Sequence, residues 1–274
     1  MEWRLLDTGP GAPAWNMALD EALLEEFAGN RTVGRASRPP RMGGRDAHPT
    51  GRTRGFHSEG CLRLYGWRPA ALSLGRFQPL SEVASLPGEI PRVRRLTGGG
   101  AIHHREDELT YSIIAPYSAF GGRGSPRHAY RLVHEAIALG LEGLGLALRG
   151  GATAPDSPTE TAALCYDRAT DYDLKVGARK LVGSAQRRKG SAFLQHGSIP
   201  LTRDPFSRGA VSLEELLGRV PTRAEVAAAL RSGFERAFED LVLVPGEPTL
   251  RELARARELE VSRYSASSWT AERP

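Results

Sequence analysis

The sequence predicts an α+β domain: a mixed β-sheet flanked by helices and closed by a helical C-terminal segment. Three observations predict it. Short runs of strand character, punctuated by Gly and Pro, fill residues 61 to 201. One long helical run begins at Ser125-Pro126, a capping residue followed by proline at the first helical position. The part from 205 to 274 then changes period and carries three Ser/Thr-x-x-Glu capping boxes: Ser212 with Glu215, Thr222 with Glu225, and Thr249 with Glu252.

In chain order, WRLLD is a short strand. Asn16 reads as the cap of a helix whose apolar face includes Leu19, Leu23 and Phe27. Residues 29–60 lose all periodicity and read as a disordered or loosely ordered surface insert. CLRLYGW and AALSLGRF are strands separated by Arg68-Pro69, and VRRLT and AIHH flank a triple glycine. LTYSIIAP is a strand ended by Pro116. The helix from Ser125 is expected to run to about Leu148, with Leu132, Val133, Ala136, Ile137 and Gly140 inward. DYDLKV, KLVGSAQ and SAFLQHGSIPL are three further strands, joined at Gly177-Ala178 and Arg187–Gly190.

The 274 residues suffice for one domain, 1–274, with a real core. Two cysteines cannot build a disulfide framework or a cysteine zinc site, and they fit a reducing compartment. The opening MEWRLLD has acids at Glu2 and Asp7 and lacks the apolar segment of a signal peptide, so a cytoplasmic location is expected. The run AIALGLEGLGLAL is too short to span a bilayer. The net charge of +5 would suit nucleic acid, but seven arginines and two acids within 29–60 account for all of it. The charge belongs to the insert, and no nucleic-acid partner is expected.

Four places carry candidate chemistry. In RRLTGGGAIHH, Gly98, Gly99 and Gly100 allow positive φ and close approach to a ligand; a plain hairpin turn would need fewer. In KLVGSAQ, the small residues Gly183, Ser184 and Ala185 suggest a second close approach, while composition alone reads Lys180 as a solvated turn lysine. His103, His104 and His196 lack the spaced partners of a metal site, so ordinary hydrogen bonding is expected and no metal; His196 is either ligand-facing or a satisfied core histidine. Cys61 reads as core packing. Cys165 follows a Gly/Pro/Ser/Thr-rich loop and sits among Tyr166, Asp167 and Arg168, and residue types leave it open between nucleophile and structural thiol.

Taken together, the pieces resemble the lipoate-protein ligase A and octanoyltransferase family, of biotin/lipoyl protein ligase-like fold. WRLLDTG, NMALDEALL, YGWRPAALSLGRFQ, RRLTGGGAIHH with ELTYSI, KLVGSAQRRKGSAFLQHGSIPL and the tail RYSASSWT are colinear with it, leaving out only 29–60. Gly100 is nearer the ligase version of the glycine loop. The LipM-type transferases carry a cysteine 15 positions before the signature lysine, and here 180 − 165 = 15.

The resemblance implies a cytoplasmic acyltransferase. Octanoyl would pass from octanoyl-acyl carrier protein to a lysine of a lipoyl domain, such as the glycine cleavage H protein or an E2 subunit. It implies catalytic Cys165 and Lys180, the thiol forming an acyl-thioester. Arg95, Thr97, Gly98, Gly99, Gly100, His104, Gly183, Ser184, Ala185, Gln186 and His196 would hold the substrate, with no cofactor and no membrane partner, in a monomer. An ATP-dependent lipoate-protein ligase and an octanoyl-H protein amidotransferase are the alternatives. A nucleic-acid-binding module and a papain-like Cys–His hydrolase are rivals of other classes.

Overall fold

The computed structural model describes residues 1–29, 59–120, 125–146, 148, 164–167 and 173–271. Most of the expected insert therefore lies outside the described residues. Its edges do not: Gly29 ends a helix and Gly60 opens a strand.

Seven strands form the main sheet: β1 (Glu2–Gly11), β2 (Gly60–Trp67), β6 (Glu108–Pro116), β7 (Leu174–Val176), β8 (Arg179–Lys189), β9 (Ala192–Pro200) and β10 (Val242–Pro245). Their order is β10-β1-β2-β6-β9-β8-β7. The β10–β1 and β1–β2 pairs are parallel and the others antiparallel, so the sheet is mixed. A smaller sheet of β3 (Ala71–Leu74), β4 (Arg92–Arg94) and β5 (Ile102–His104) has the order β4-β3-β5.

Helices cover both faces. On one, α2 (Pro126–Glu142) and α4 (Arg223–Ala237) pack against Leu62, Leu64, Tyr111 and Ile113. On the other, α1 (Pro13–Gly29) packs against Cys61, Tyr65, Trp67 and Ile114. This two-sided cover is why β2 and β6 read as almost unbroken buried runs. The first core is closed by close helix contact. A Cβ on Gly233 would lie 2.2 Å from the Ala136 carbonyl oxygen, and one on Gly140 2.4 Å from that of Ala229.

The three capping boxes form as the sequence predicts, starting α3 (Leu213–Leu217), α4 and α5 (Leu250–Leu259). A single π-helical turn, Glu260–Tyr264, and α6 (Ser267–Ala271) end the described chain. Ser125 caps α2, which stops at Glu142 rather than about Leu148, because Gly143 and Gly145 close it. Asn16 is corrected: it is no cap, since Pro13 starts α1 one turn earlier. Its buried amide instead donates to the carbonyls of Gly11 and Gly66. No helix among the described residues is long and apolar enough to cross a membrane.

Candidate active site

The strand period of two sends Arg63, Tyr65 and Trp67 of β2, Thr110 and Ser112 of β6, and His196 of β9 to the α1 side of the sheet. Asn16 and Asp20, one turn apart on α1, meet them. Asp20 Oδ1 accepts from Arg63 Nη1 at 2.7 Å, Ser112 donates to the same carboxylate, and Tyr65 donates to Oδ2 at 3.1 Å. Burial works to raise the pKa of Asp20, but the Arg63 charge and the bonds from His196 and Ser112 hold it below the ordinary value.

Beside this cluster lies a narrow slot of ≈ 280 Å³, open mouth included, with room inside for little more than one water molecule. Its wall includes Met17, Trp67, Ile102, Ala185 and Ser198. Arg95 lines it and is buried, with every N–H directed at protein. Nε donates to Thr97 Oγ1 at 3.1 Å, and Nη1 to the Ser73 carbonyl at 2.8 Å and its hydroxyl at 3.3 Å. Nη2 donates to the Gly98 and Gly100 carbonyls at 2.7 and 2.8 Å. Arg95 is thus the clasp of the glycine loop, and it has no guanidinium proton left over for a substrate.

Two relays of the same design meet at Arg95. Thr97, already accepting from Arg95, shares a hydrogen bond of 2.7 Å with His196 Nε2, and His196 Nδ1 pairs with Asp20 at 2.9 Å. Ser73, likewise accepting from Arg95, shares a hydrogen bond of 2.8 Å with His104 Nε2, and His104 Nδ1 pairs with Glu108 at 2.6 Å. Burial lowers the pKa of His104, against the pull of Glu108, while the Trp67 indole stacks on its ring at 3.8 Å. Burial likewise brings Arg95 down to about 10, with the nearby Cys165 sulfur acting in the opposite sense.

Cys165 stands at the Ile102 side of the slot. Its backbone N–H donates to the Ala101 carbonyl at 2.7 Å, so the short 3₁₀ turn Cys165–Asp167 is pinned beside the glycine loop. Ile102, which lines the slot, packs with Cys165, Tyr166 and Ala210. Lys180 Nζ lies 3.6 Å from Cys165 Sγ, 3.3 Å from its carbonyl oxygen and 3.0 Å from Asp173 Oδ2. Tyr130 donates to the other Asp173 oxygen at 3.4 Å. A Cβ on Gly183 would sit 3.3 Å from Lys180 Cε and 3.5 Å from the Tyr166 ring, so glycine there leaves the lysine its channel.

Most of the expected residues meet here. Arg95, His104, Ala185 and His196 line the slot; Thr97 and the three glycines form the clasped loop; Cys165 packs with Ile102 of the slot wall, and Lys180 lies beside its sulfur. Gly99 has φ of +94°, and its carbonyl oxygen would be only 1.9 Å from a Cβ on Gly75, so both positions need glycine. Lys180 is buried, not a solvated turn lysine. Ser184 and Gln186 are corrected: strand alternation turns both to the α2 side. Ser184 there bonds Tyr111 and His134, and Gln186 bonds Gln195 and Tyr117. His103, on the opposite side of β5 from His104, pairs with Asp204. Among the described residues no three His, Cys, Asp or Glu side chains gather as a metal site.

Sequence reasoning missed Asp173, Asp20, Glu108 and Ser73. Of the acids, Asp20 gave one faint signal: it lies inside the apolar run NMALDEALL.

Residues 12–235 match the family "Lipoyl protein ligase A/B catalytic domain". The octanoyltransferase LipM of Moorella thermoacetica is 36% identical over 300 residues, covering 99% of this chain and 98% of that one. The LipM of Exiguobacterium sp. is 35% identical over 300 residues, with the same coverage. A bipartite lipoate protein ligase from Thermoplasma acidophilum, solved in a study of that enzyme and its E2 lipoyl domain, aligns with a TM-score of 0.69 at 21% identity. The alignment covers 100% of this chain and 98% of that one.

Proposed function

Since the chain belongs to the lipoyl protein ligase A/B catalytic-domain family, we propose that it is an octanoyltransferase of lipoate biosynthesis that carries the acyl group as a thioester on Cys165. The observation that carries this reading is the Lys180 ammonium 3.6 Å from the Cys165 sulfur, with Cys165 packed on Ile102 of the slot wall. A cation in that position stabilises a thiolate, which is the nucleophilic form of cysteine.

In the first half-reaction the Cys165 sulfur attacks the carbonyl carbon of the octanoyl thioester, presented by octanoyl-acyl carrier protein. A new C–S bond forms, the donor's C–S bond breaks, and the donor thiol leaves with a proton. Lys180 faces the charge that develops on the carbonyl oxygen. In the second, the neutral amine of a lipoyl-domain lysine attacks the same carbon. The C–N bond forms, the C–S bond to Cys165 breaks, and the amine loses a proton. Nothing is oxidised or reduced, and thioester-to-amide transfer runs downhill without ATP.

The slot is too tight for a C8 tail as it stands, so binding must part its walls; burying about seven CH₂ groups at ~0.8 kcal/mol each against Met17, Trp67, Ile102 and Ala185 would offer up to about 5–6 kcal/mol. Asp173 is the residue the geometry adds, an anion that holds the lysine head at the sulfur.

The solved ligase shares the fold alone. A donor comparison separates the chemistries. Octanoyl-carrier protein without ATP should octanoylate a lipoyl domain. If only free lipoate or octanoate with ATP does so, with release of pyrophosphate, the protein is a ligase.

A further inference from the structure

We propose that Ser198 is a further catalytic residue: its hydroxyl, together with Lys180, donates to the acyl carbonyl oxygen as charge builds there. This rests on the transferase reading above and names the second donor of that site.

Ser198 lies on β9 and lines the slot, two residues beyond His196 and on the same side of the sheet. It is 1% exposed, and its Oγ makes no hydrogen bond with any described residue. The hydroxyls around it are engaged. Thr110, opposite it on β6, accepts from Trp67 at 2.8 Å and donates to Glu108 at 2.7 Å. Tyr166 donates to the Ser198 carbonyl at 2.8 Å. Burying a hydroxyl without a partner is unfavourable, and in the wall of a slot it points to a ligand atom that completes the bond.

Strand register sets that hydroxyl beside the reacting groups. Ser198 pairs with Gly183 of β8, which puts the two positions about 5 Å apart on the slot side. Lys180 Cε and the Tyr166 ring lie 3.3 and 3.5 Å from where a Gly183 Cβ would be. Ser198 therefore stands one strand from the lysine stem, with no side chain on Gly183 to separate them. Tyr166, next to Cys165, ties that turn to the Ser198 backbone, so nucleophile and hydroxyl keep a fixed relation.

Lys180 alone has little to spare for an oxyanion. Its ammonium carries three protons, and Asp173 Oδ2, the Cys165 carbonyl oxygen and the Cys165 sulfur lie 3.0, 3.3 and 3.6 Å away. Acylation of the sulfur releases only the last of these. When the sulfur or the amine attacks, the C=O π pair moves onto oxygen, and positioned donors stabilise the anion. Ser198 supplies the second donor without giving up its proton. The pair returns to the C=O bond as the leaving group departs.

The test compares the full chain with its Ser198→Ala variant. Capture from a small octanoyl thioester, and discharge from octanoyl-Cys165 to a lipoyl domain, should each slow about 100-fold, the loss typical of one such donor, with the thioester KM little changed. The infrared stretch of an isotope-labelled acyl carbonyl on Cys165 should move to higher frequency, because a hydrogen bond to that oxygen lowers it. Melting temperature should hold or rise, since alanine removes a buried, unpaired hydroxyl. Wild-type rates in the variant, an unshifted carbonyl stretch, a loss confined to discharge, or a lowered melting temperature would each overturn the proposal. A failure of the transferase reading would instead appear as no octanoyl adduct on the wild-type protein.

Discussion

The two cysteines occupy opposite environments. Burial pushes the Cys61 thiol up to about 12, in the core between β2 and α1. Cys165 has the Lys180 ammonium against its sulfur. Alkylation of the folded protein should therefore mark Cys165 alone, and peptide mapping checks it. Lys180→Met should slow transfer about 100- to 1,000-fold, the usual loss for removing one positioned donor at a developing charge. The same change takes the cation from the Asp173 carboxylate, and breaking a buried ion pair costs about 3–5 kcal/mol. Lys180→Met with Asp173→Asn should recover melting temperature but not rate; recovery of both would make the pair merely structural. The family resemblance paired Lys180 with Cys165, but composition alone could not place it here. A lysine beside a turn looks solvated until Gly183 and Tyr166 are seen to wall its stem.

At the scale of elements, glycine contacts hold α2 on α4. Gly233→Ala gains about 0.5–1 kcal/mol of helix propensity. It also drives a methyl group to 2.2 Å from a backbone oxygen. Overpacking of this kind costs about 1–3 kcal/mol, so the net change should be destabilising, read as a lower urea midpoint. Strand and helix positions were largely legible, because period-two runs, Ser125-Pro126 and the three capping boxes are local signals. Helix α1 was legible only in part. Asn16, Asp20 and Glu21 are buried beside Leu19 and Leu23, which erases the polar face that would reveal the helix's orientation. A charge at Asp20 reads as solvent-facing until Arg63, 43 residues later, comes to meet it. The relays through His196 and His104 were invisible for the same reason: each joins three or four segments.

For the molecule as a whole, buried and bridged carboxylates set the response to acid. Asp20 and Glu252 are held below their ordinary values: burial opposes this, but Arg63 and the His196 and Ser112 bonds prevail at Asp20, and bonds from Arg4 and Thr249 at Glu252. A carboxylate with a depressed folded pKa contributes stability that is fully present above its unfolded value, near 4, and is lost as pH falls through the folded one. Melting temperature should hold between pH 5 and 7 on this account and fall below about pH 4. Asp20→Asn should lower it already at neutral pH, by leaving Arg63 buried without its partner. The fold, the glycine loop and the Cys165–Lys180 spacing connect this behaviour to one proposed chemistry, an acyl group held on sulfur. Intact-mass spectrometry after mixing with octanoyl-carrier protein, without ATP, tests that directly. The account predicts one hydroxylamine-labile octanoyl adduct, lost in Cys165→Ser and discharged by a lipoyl domain. A Cys165→Ser enzyme that octanoylates the lipoyl domain at the wild-type rate would contradict it.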